Sequence, residues 1–207
     1  EHGADYILLL NNDTVIEPEF LKKLVEAGEG DEKIGILGPT IYKLGTNKAH
    51  FAGGKINWLY TRAEHKPGAE DYITGACFLI KRKVIEKIGL MPEDYFLYFE
   101  DAEWCLKARK AGFSCKVVLE ARIGHKVSKN TQEYSFSYIY YQYRNGLLLA
   151  KRNAPFLIKI LAYKISFFVY LKQMIKLAFV PSKKEWARAT MRGIEDFYKG
   201  KVGKFIS

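Results

Sequence analysis

Tyr6-Ile7-Leu8-Leu9-Leu10-Asn11-Asn12-Asp13-Thr14 is the stretch on which the fold of this chain turns. An apolar run that ends abruptly in two amides and a carboxylate is the pattern of a buried strand with polar groups at its carboxyl end. In open α/β sheets that end is where ligands bind. Oxygen donors gathered there, with no thiolate beside them, suit a hard divalent cation that keeps waters of its own and grips a diphosphate. Asp13 is therefore a candidate metal ligand. The competing reading makes Asp13 or Thr14 the cap of the helix that Pro18 opens and that Phe20, Leu21, Leu24 and Val25 line.

A second acidic run, Glu93-Asp94-Tyr95-Phe96-Leu97-Tyr98-Phe99-Glu100-Asp101, leads into Ala102-Glu103-Trp104-Cys105 and on to Gly112. Counted from Asp101, the helical period places Trp104, Cys105, Ala108 and Ala111 on one stripe, and Gly112 ends the helix. Glu100 and Asp101 then sit at its amino terminus, where the helix dipole favours the ionised carboxylate. Such a group at a strand–helix junction is a candidate general base. Asp94 has two readings, a contact to acceptor or metal and a turn residue after Pro92.

Together these residues resemble the inverting glycosyltransferases of family 2, which have the GT-A fold, and their rhamnosyltransferase-like members in particular. The resemblance covers most of residues 4 to 153. Asn11-Asn12-Asp13 is similar to the family's DXD-type motif, with an amide in first position, which holds Mn2+ or Mg2+ against the nucleotide diphosphate. Phe99-Glu100-Asp101, followed by Trp104-Cys105, Ala108-Arg109 and Ala111-Gly112-Phe113, resembles its acceptor-site signature, whose Asp is the usual base. Ile73-Thr74-Gly75-Ala76-Cys77-Phe78-Leu79-Ile80-Lys81-Arg82 matches the intervening strand, whose Gly-Ala turn lies beside donor and acceptor.

The resemblance implies an α/β architecture, a GT-A-like mixed sheet flanked by helices with a carboxy-terminal helical extension. It also implies a single in-line displacement. Asp101 takes the proton of an acceptor hydroxyl, which attacks the anomeric carbon of a nucleotide-sugar donor with inversion. Glu100 shares that site, either holding the acceptor or orienting the base. Asn11, Asn12, Thr74, Gly75 and Ala76 are expected beside donor or acceptor. His125, after the strand-like run Ser114 to Leu119, stands where the family often completes the metal site; a structural role is the alternative. Arg144, in a helix-like run from Tyr138 to Asn153, either meets a phosphate or anchors that helix to a core carboxylate. Family members begin with an earlier strand and helix that hold the nucleotide base, whereas this chain opens at Glu1-His2-Gly3. The expectation is a domain lacking its amino-terminal part, with weak transfer by the chain alone.

Between the acidic runs, Ile34 to Gly38 reads as a short buried strand stopped by Pro39. Ala49 to Trp58, broken by Gly53-Gly54, reads as a hairpin or bulged segment. Tyr72 to Ile80 reads as a core strand followed by a short helix that Gly89 ends. Lys81 and Arg82 are read as solvated charge at that helix start, with a phosphate contact as the alternative.

A chain of 207 residues with 48% hydrophobic content buries one substantial core with an appended element, divided here as 1–153 and 154–207. Cys77, Cys105 and Cys115 lie in apolar patterns without paired spacing, which speaks for reduced core residues and against zinc or disulfides. Residues 151–207 carry 13 Lys and Arg against 3 Asp and Glu, and the remainder balances at 20 of each. Lys159, Lys164, Lys172 and Lys176 interrupt the apolar run Phe156 to Val180, and buried charge disfavours a membrane span. The reading is an interfacial helix on an anionic membrane, offering Phe167, Phe168, Tyr170 and Leu171 to lipid. Packing of those residues on the core or on another subunit is the alternative.

A glycan or polyprenyl-linked acceptor, and a cytoplasmic place on the inner face of the cell membrane, follow from that reading. No nucleic-acid motif accompanies the basic tail, so nucleic acid is not an expected partner. An exposed sheet edge would invite homo-oligomers. The opposing functional class is a non-catalytic, membrane-associated or scaffold fragment that keeps the motifs.

Overall fold

The structure, a computed structural model, describes residues 3–126 and 135–206. In chain order they form β1 (Tyr6–Leu10), β2 (Thr14–Ile16), α1 (Phe20–Glu29), β3 (Ile34–Lys43), β4 (Ala49–Phe51), β5 (Gly54–Asn57), β6 (Arg62–His65), β7 (Cys77–Lys81) and α2 (Arg82–Ile88). α3 (Glu100–Lys110), β8 (Ser114–His125), α4 (Phe136–Asn153), α5 (Phe156–Phe179) and α6 (Lys184–Tyr198) follow. The described residues separate into two compact units. One holds 3–56, 64–91 and 101–126, the other 57–63, 92–100 and 135–206.

The first unit is built on a mixed sheet of order β1-β7-β3-β8-β2, with β4 added to β3; β5 and β6 form a separate two-stranded ribbon. β3 and β8 run parallel, and the other pairs run antiparallel. The centre of this sheet is apolar because its strands are covered: Ile36, Leu37, Phe78, Leu79 and Ile80 are all buried. α1 supplies Phe20 and Leu24 to that core, and α3 adds Trp104, Cys105 and Ala108 of the expected stripe, while Ala111 lies past the helix end and is only half-buried. The ring of Trp104 lies 6.0 Å from that of Phe78. β1 is not the buried strand expected of Tyr6–Leu10: it lies at the sheet edge with a strand neighbour on one side only, no residue of it is buried, and Leu9 and Leu10 are exposed.

Four sequence expectations change here. Pro39 does not stop its strand; β3 continues to Lys43 across a register shift, where Pro39 faces Val118 and Thr40 faces Arg122. The irregularity falls at the residue that lacks an N–H, which is where a sheet tolerates proline. β8 likewise runs past Leu119 to His125. Residues 49–57 do not fold back on each other, since β4 pairs with β3 and β5 with β6. Lys81 is buried at the end of β7 and donates to the carbonyls of Gly28 (2.6 Å) and Asp31 (3.2 Å), so it is neither solvated nor presented to phosphate.

The second unit is helical. α6 is amphipathic and packs on α4 and α5, with Ala187, Ala189, Gly193, Ile194 and Phe197 inward. Gly193 is required there: a Cβ would lie 2.6 Å from the Tyr140 carbonyl oxygen. α5 is arranged the other way about. Ala162, Ser166 and Gln173 are its buried residues, while Phe156, Phe167, Phe168, Ile175 and Phe179 are each more than half exposed. Its inner seam is polar, with Ser166 Oγ 2.9 Å from Tyr198 Oη and Tyr170 donating to Glu195 at 2.8 Å. No described helix is long and apolar enough to cross a membrane.

Candidate active site

The site grows from the carboxyl end of β1. Asn11 leaves the strand by donating its backbone N–H to the Ala76 carbonyl at 3.1 Å, and Thr14 Oγ1 closes the turn on the Asn11 carbonyl at 2.7 Å. Asn11, Asn12 and Asp13 all stay exposed. Asp13 does not cap a helix, because β2 begins at the next residue and α1 starts only at Phe20. β2 pairs with the end of β8, Thr14 opposite His125, and the Lys126 N–H donates to the Asp13 carbonyl at 3.1 Å. This pairing brings His125 to Asp13.

Nε2 of His125 stands 3.0 Å from Oδ1 of Asp13. The approach is outside hydrogen-bonding geometry, and Nε2 is a buried nitrogen without a hydrogen bond among the described residues. One imidazole nitrogen and one carboxylate oxygen thus stand together without satisfying each other. That donor set fits a divalent cation of the Mn2+ or Mg2+ kind. Among the described residues no cluster of three His, Cys, Asp or Glu side chains forms, so the two side chains are the whole of the protein donor set here.

Asp101, in the first turn of α3, is the second element. Its Oδ2 accepts the Gly75 N–H at 2.8 Å and its Oδ1 accepts the Ala102 N–H at 2.7 Å. Burial pushes its carboxyl pKa above the ordinary carboxylate range, against the two N–H donors and the charge of His65, which pull it down. A carboxylate raised toward the working pH is a stronger base than an exposed one. Burial, and next the charge of Asp101, keep the phenol of the neighbouring Tyr72 protonated.

The two acidic segments meet through one turn. Gly75 gives its N–H to Asp101, and Ala76 takes the N–H of Asn11. Thr74 closes that turn by accepting from Cys77 at 3.3 Å. Strand β7 begins only at Cys77, so residues 72–76 are not the strand expected of them. The irregular backbone leaves these N–H and carbonyl groups free to tie the segments together. Asn11, Asp13, Thr74, Gly75, Ala76, Asp101 and His125 are therefore one continuous structure, and Asn12 lies within it by sequence.

Glu100, Asp94 and Arg144 fall in the second unit. Glu100 is half-buried at the first position of α3. Asp94 lies in a short helical turn, Glu93–Tyr95, and pairs with Arg152. Arg144 is buried, and its guanidinium donates to the carbonyls of Gly203 (2.6 Å), Asp94 (3.4 Å) and Tyr95 (2.9 Å) and to Asn145 Oδ1 (2.8 Å). The anchoring partner is backbone, not the core carboxylate expected. Asn145 matters as much. Its amide contacts the carbonyls of Tyr95 (3.0 Å), Leu97 (2.7 Å) and Tyr98 (3.0 Å). These bonds hold a segment in which Phe96, Tyr98 and Phe99 all have positive φ, 62°, 65° and 74°, a strained backbone of the kind found at functional sites. Sequence reading passed over Asn145, Tyr72 and His65. The adjacent Arg144-Asn145 pair was the one available signal for the first, and the other two acquire meaning only through long-range proximity to Asp101.

The profile described as "Glycosyltransferase like family 2" matches residues 3–145. A dTDP-rhamnosyl transferase, RfbF, of Shigella flexneri is 25% identical over 176 residues, covering 77% of this chain and 58% of the relative. An N-acetylglucosaminyl-diphospho-decaprenol L-rhamnosyltransferase of Mycobacterium tuberculosis is 22% identical over 149 residues, covering 61% and 48%. The chain thus spans about half the length of the curated relatives it matches. Among solved structures, the mannosyltransferase PcManGT of Pyrobaculum calidifontis, determined with GDP-Man and Mn2+, superposes with a TM-score of 0.51 at 12% identity, covering 95% of this chain and 63% of that one. That likeness shows the GT-A-like fold, a mixed sheet flanked by helices.

Proposed function

The chain belongs to glycosyltransferase-like family 2, and from that premise we propose that it carries the transfer site of an inverting glycosyltransferase that moves a hexosyl or rhamnosyl group from a nucleotide-sugar donor to a glycan or polyprenyl-linked acceptor. The observation that carries the reading is the Gly75-Ala76 turn, which binds Asp101 on one side and the Asn11–Asp13 segment on the other. A base and an anion-binding segment held by one short turn are what an in-line displacement needs.

In this mechanism Asp101 accepts the proton of the acceptor hydroxyl as that oxygen attacks the anomeric carbon. The Gly75 and Ala102 N–H groups fix the carboxylate and leave its remaining lone pairs for the substrate. A positioned base of this kind contributes ~100- to 10,000-fold. Asp13 and His125 would hold Mn2+ or Mg2+, which when bound neutralises charge growing on the leaving diphosphate. Asn11 and Asn12 offer amides beside that segment, and Glu100 either holds the acceptor or orients the base.

The membrane side of the reading rests on α5. A helix that buries Ala162, Ser166 and Gln173 and exposes phenylalanines offers its apolar face outward. The exposed Lys164 and Lys172 supply positive charge for anionic headgroups. We place the protein on the inner, cytoplasmic face of a membrane, next to a lipid-linked acceptor. The deciding experiment is thermal unfolding with Mn2+ and a panel of nucleoside diphosphates, paired with a transfer assay. Stabilisation that needs both metal and nucleotide supports the transferase reading, whereas no response to any nucleotide sinks it and favours the non-catalytic class.

A further inference from the structure

The helical unit holds a groove of about 400 Å³ walled by Phe136, Leu177, Met191 and Phe205 and edged by Arg188, Arg192 and Glu195, a volume in the range of small-ligand sites. Its carboxylates are already engaged. Glu195 accepts from Tyr170 at 2.8 Å and lies 3.6 Å from Lys199. Asp196, buried behind Arg192, takes Lys201 at 3.2 Å and Tyr140 Oη at 3.1 Å. Arg192 meets Asp196 through Nε alone, at 3.2 Å, and its guanidinium lies 5.9 Å from the centre of the Phe205 ring. Arg188, one helical turn earlier and exposed, has no hydrogen bond or ion pair among the described residues. Four cations thus stand against two carboxylates, and the charge left over is carried by guanidinium groups set against hydrocarbon.

That combination selects a ligand with a phosphate at one end and an apolar chain at the other. Guanidinium forks match phosphate oxygens, and the phenylalanine, leucine and methionine walls match a hydrocarbon tail. Leu177 belongs to α5, whose Met174, Ile175 and Phe179 continue the apolar surface outward. A prenyl diphosphate carries one hydrocarbon chain behind its phosphates, which matches one apolar wall beside two guanidinium groups. We infer that this groove binds a prenyl diphosphate, its phosphates on Arg188 and Arg192 and its first isoprene units along Phe136, Leu177, Met191 and Phe205. The inference rests on the reading above that the acceptor is lipid-linked.

The test is calorimetric titration of the full 207-residue chain with farnesyl diphosphate in non-ionic micelles containing EDTA, so that no metal at Asp13 and His125 holds the diphosphate. Saturable binding is expected, weakened about tenfold or more for farnesol, for inorganic diphosphate, and in Arg188→Ala. Leu177→Glu, which alters the hydrocarbon wall, should weaken farnesyl diphosphate but spare inorganic diphosphate. Equal affinity in both variants overturns the proposal, as does inorganic diphosphate binding as tightly as the prenyl ester. Displacement by phosphatidylglycerol at equal mole fraction also overturns it, assigning the groove to bulk lipid. Nucleotide-dependent unfolding is independent of this titration, so a failed transferase reading and a failed groove assignment are told apart.

Discussion

The imidazole Nε2 of His125 and the Oδ1 of Asp13 approach to 3.0 Å without a hydrogen bond between them, although 111 positions of sequence separate the two residues. If the pair serves a cation, Asp13→Asn and His125→Ala should each abolish the Mn2+-dependent stabilisation by nucleoside diphosphate, and in Asp13→Asn the metal-free unfolding temperature should change little. Asp13 is on the surface, so the apo Asp13→Asn protein should lose less than about 1 kcal/mol, and His125→Ala, which empties a largely buried position, is read only by its loss of the metal response. Differential scanning fluorimetry with and without EDTA measures both quantities.

Asp101→Asn should lower transfer ~100- to 10,000-fold and leave nucleotide affinity unchanged. Because burial raises the Asp101 pKa, the proton is lost at higher pH than from a free carboxylate. Transfer should therefore fall as pH drops through that raised value, with an acid limb above the ordinary aspartate pKa of about 3.9. The same sign governs stability: between the unfolded and folded pKa values the native state holds more protons, so this residue's contribution to stability declines as pH rises. A rate profile of kcat/KM against pH checks the first point.

Asn145→Ala removes the amide donor from the carbonyls of Leu97 and Tyr98, while that of Tyr95 keeps Arg144 and the Leu97 N–H. Unsatisfied buried acceptors cost about 1 to 3 kcal/mol, and the positive-φ residues they restrain would relax. The variant should unfold at lower temperature, and hydrogen exchange should quicken first in residues 95–99.

Phe167→Glu combined with Phe168→Glu should stop flotation with phosphatidylglycerol vesicles. Both side chains are more than half exposed, so the fold should be unaffected. Unchanged flotation of the double variant would remove α5 as the lipid contact. Raised salt should weaken binding of the wild-type chain, since part of the attraction is electrostatic.

Gly193→Ala places a methyl 2.6 Å from the Tyr140 carbonyl oxygen and 3.2 Å from Tyr143 Cβ. α4 and α6 must part to admit it, at about 2 kcal/mol, or ~5 °C in Tm. Circular dichroism melts of the two proteins give the difference.

Much of this was legible in the chain itself. The Tyr6–Leu10 strand, the Trp104, Cys105, Ala108 stripe and the tail helices follow from apolar period, a local property. Pro39 misled because a bulge depends on the neighbouring strand, which no window around Pro39 contains. Lys81 misled for a related reason: a lysine is solvated by default, and only tertiary approach of the Gly28 and Asp31 carbonyls lets it be buried. Asp13, Asp101 and His125 could each be singled out as chemically suited, but their joining through Gly75-Ala76 and through the β2–β8 pairing is a matter of topology.

The register shift between β3 and β8 has a consequence for how this site can vary. Leu119, Glu120 and Ala121 are spare residues, passed over where Val118 faces Pro39 and Arg122 faces Thr40. Their number sets which rung of the ladder receives the imidazole. A deletion there that the bulge did not absorb would advance His125 by one rung, turn its side chain to the opposite face and part it from Asp13, with every polar group of the site intact. Short insertions and deletions beside Pro39 are thus a vernier on the chemistry, adjustable without touching it.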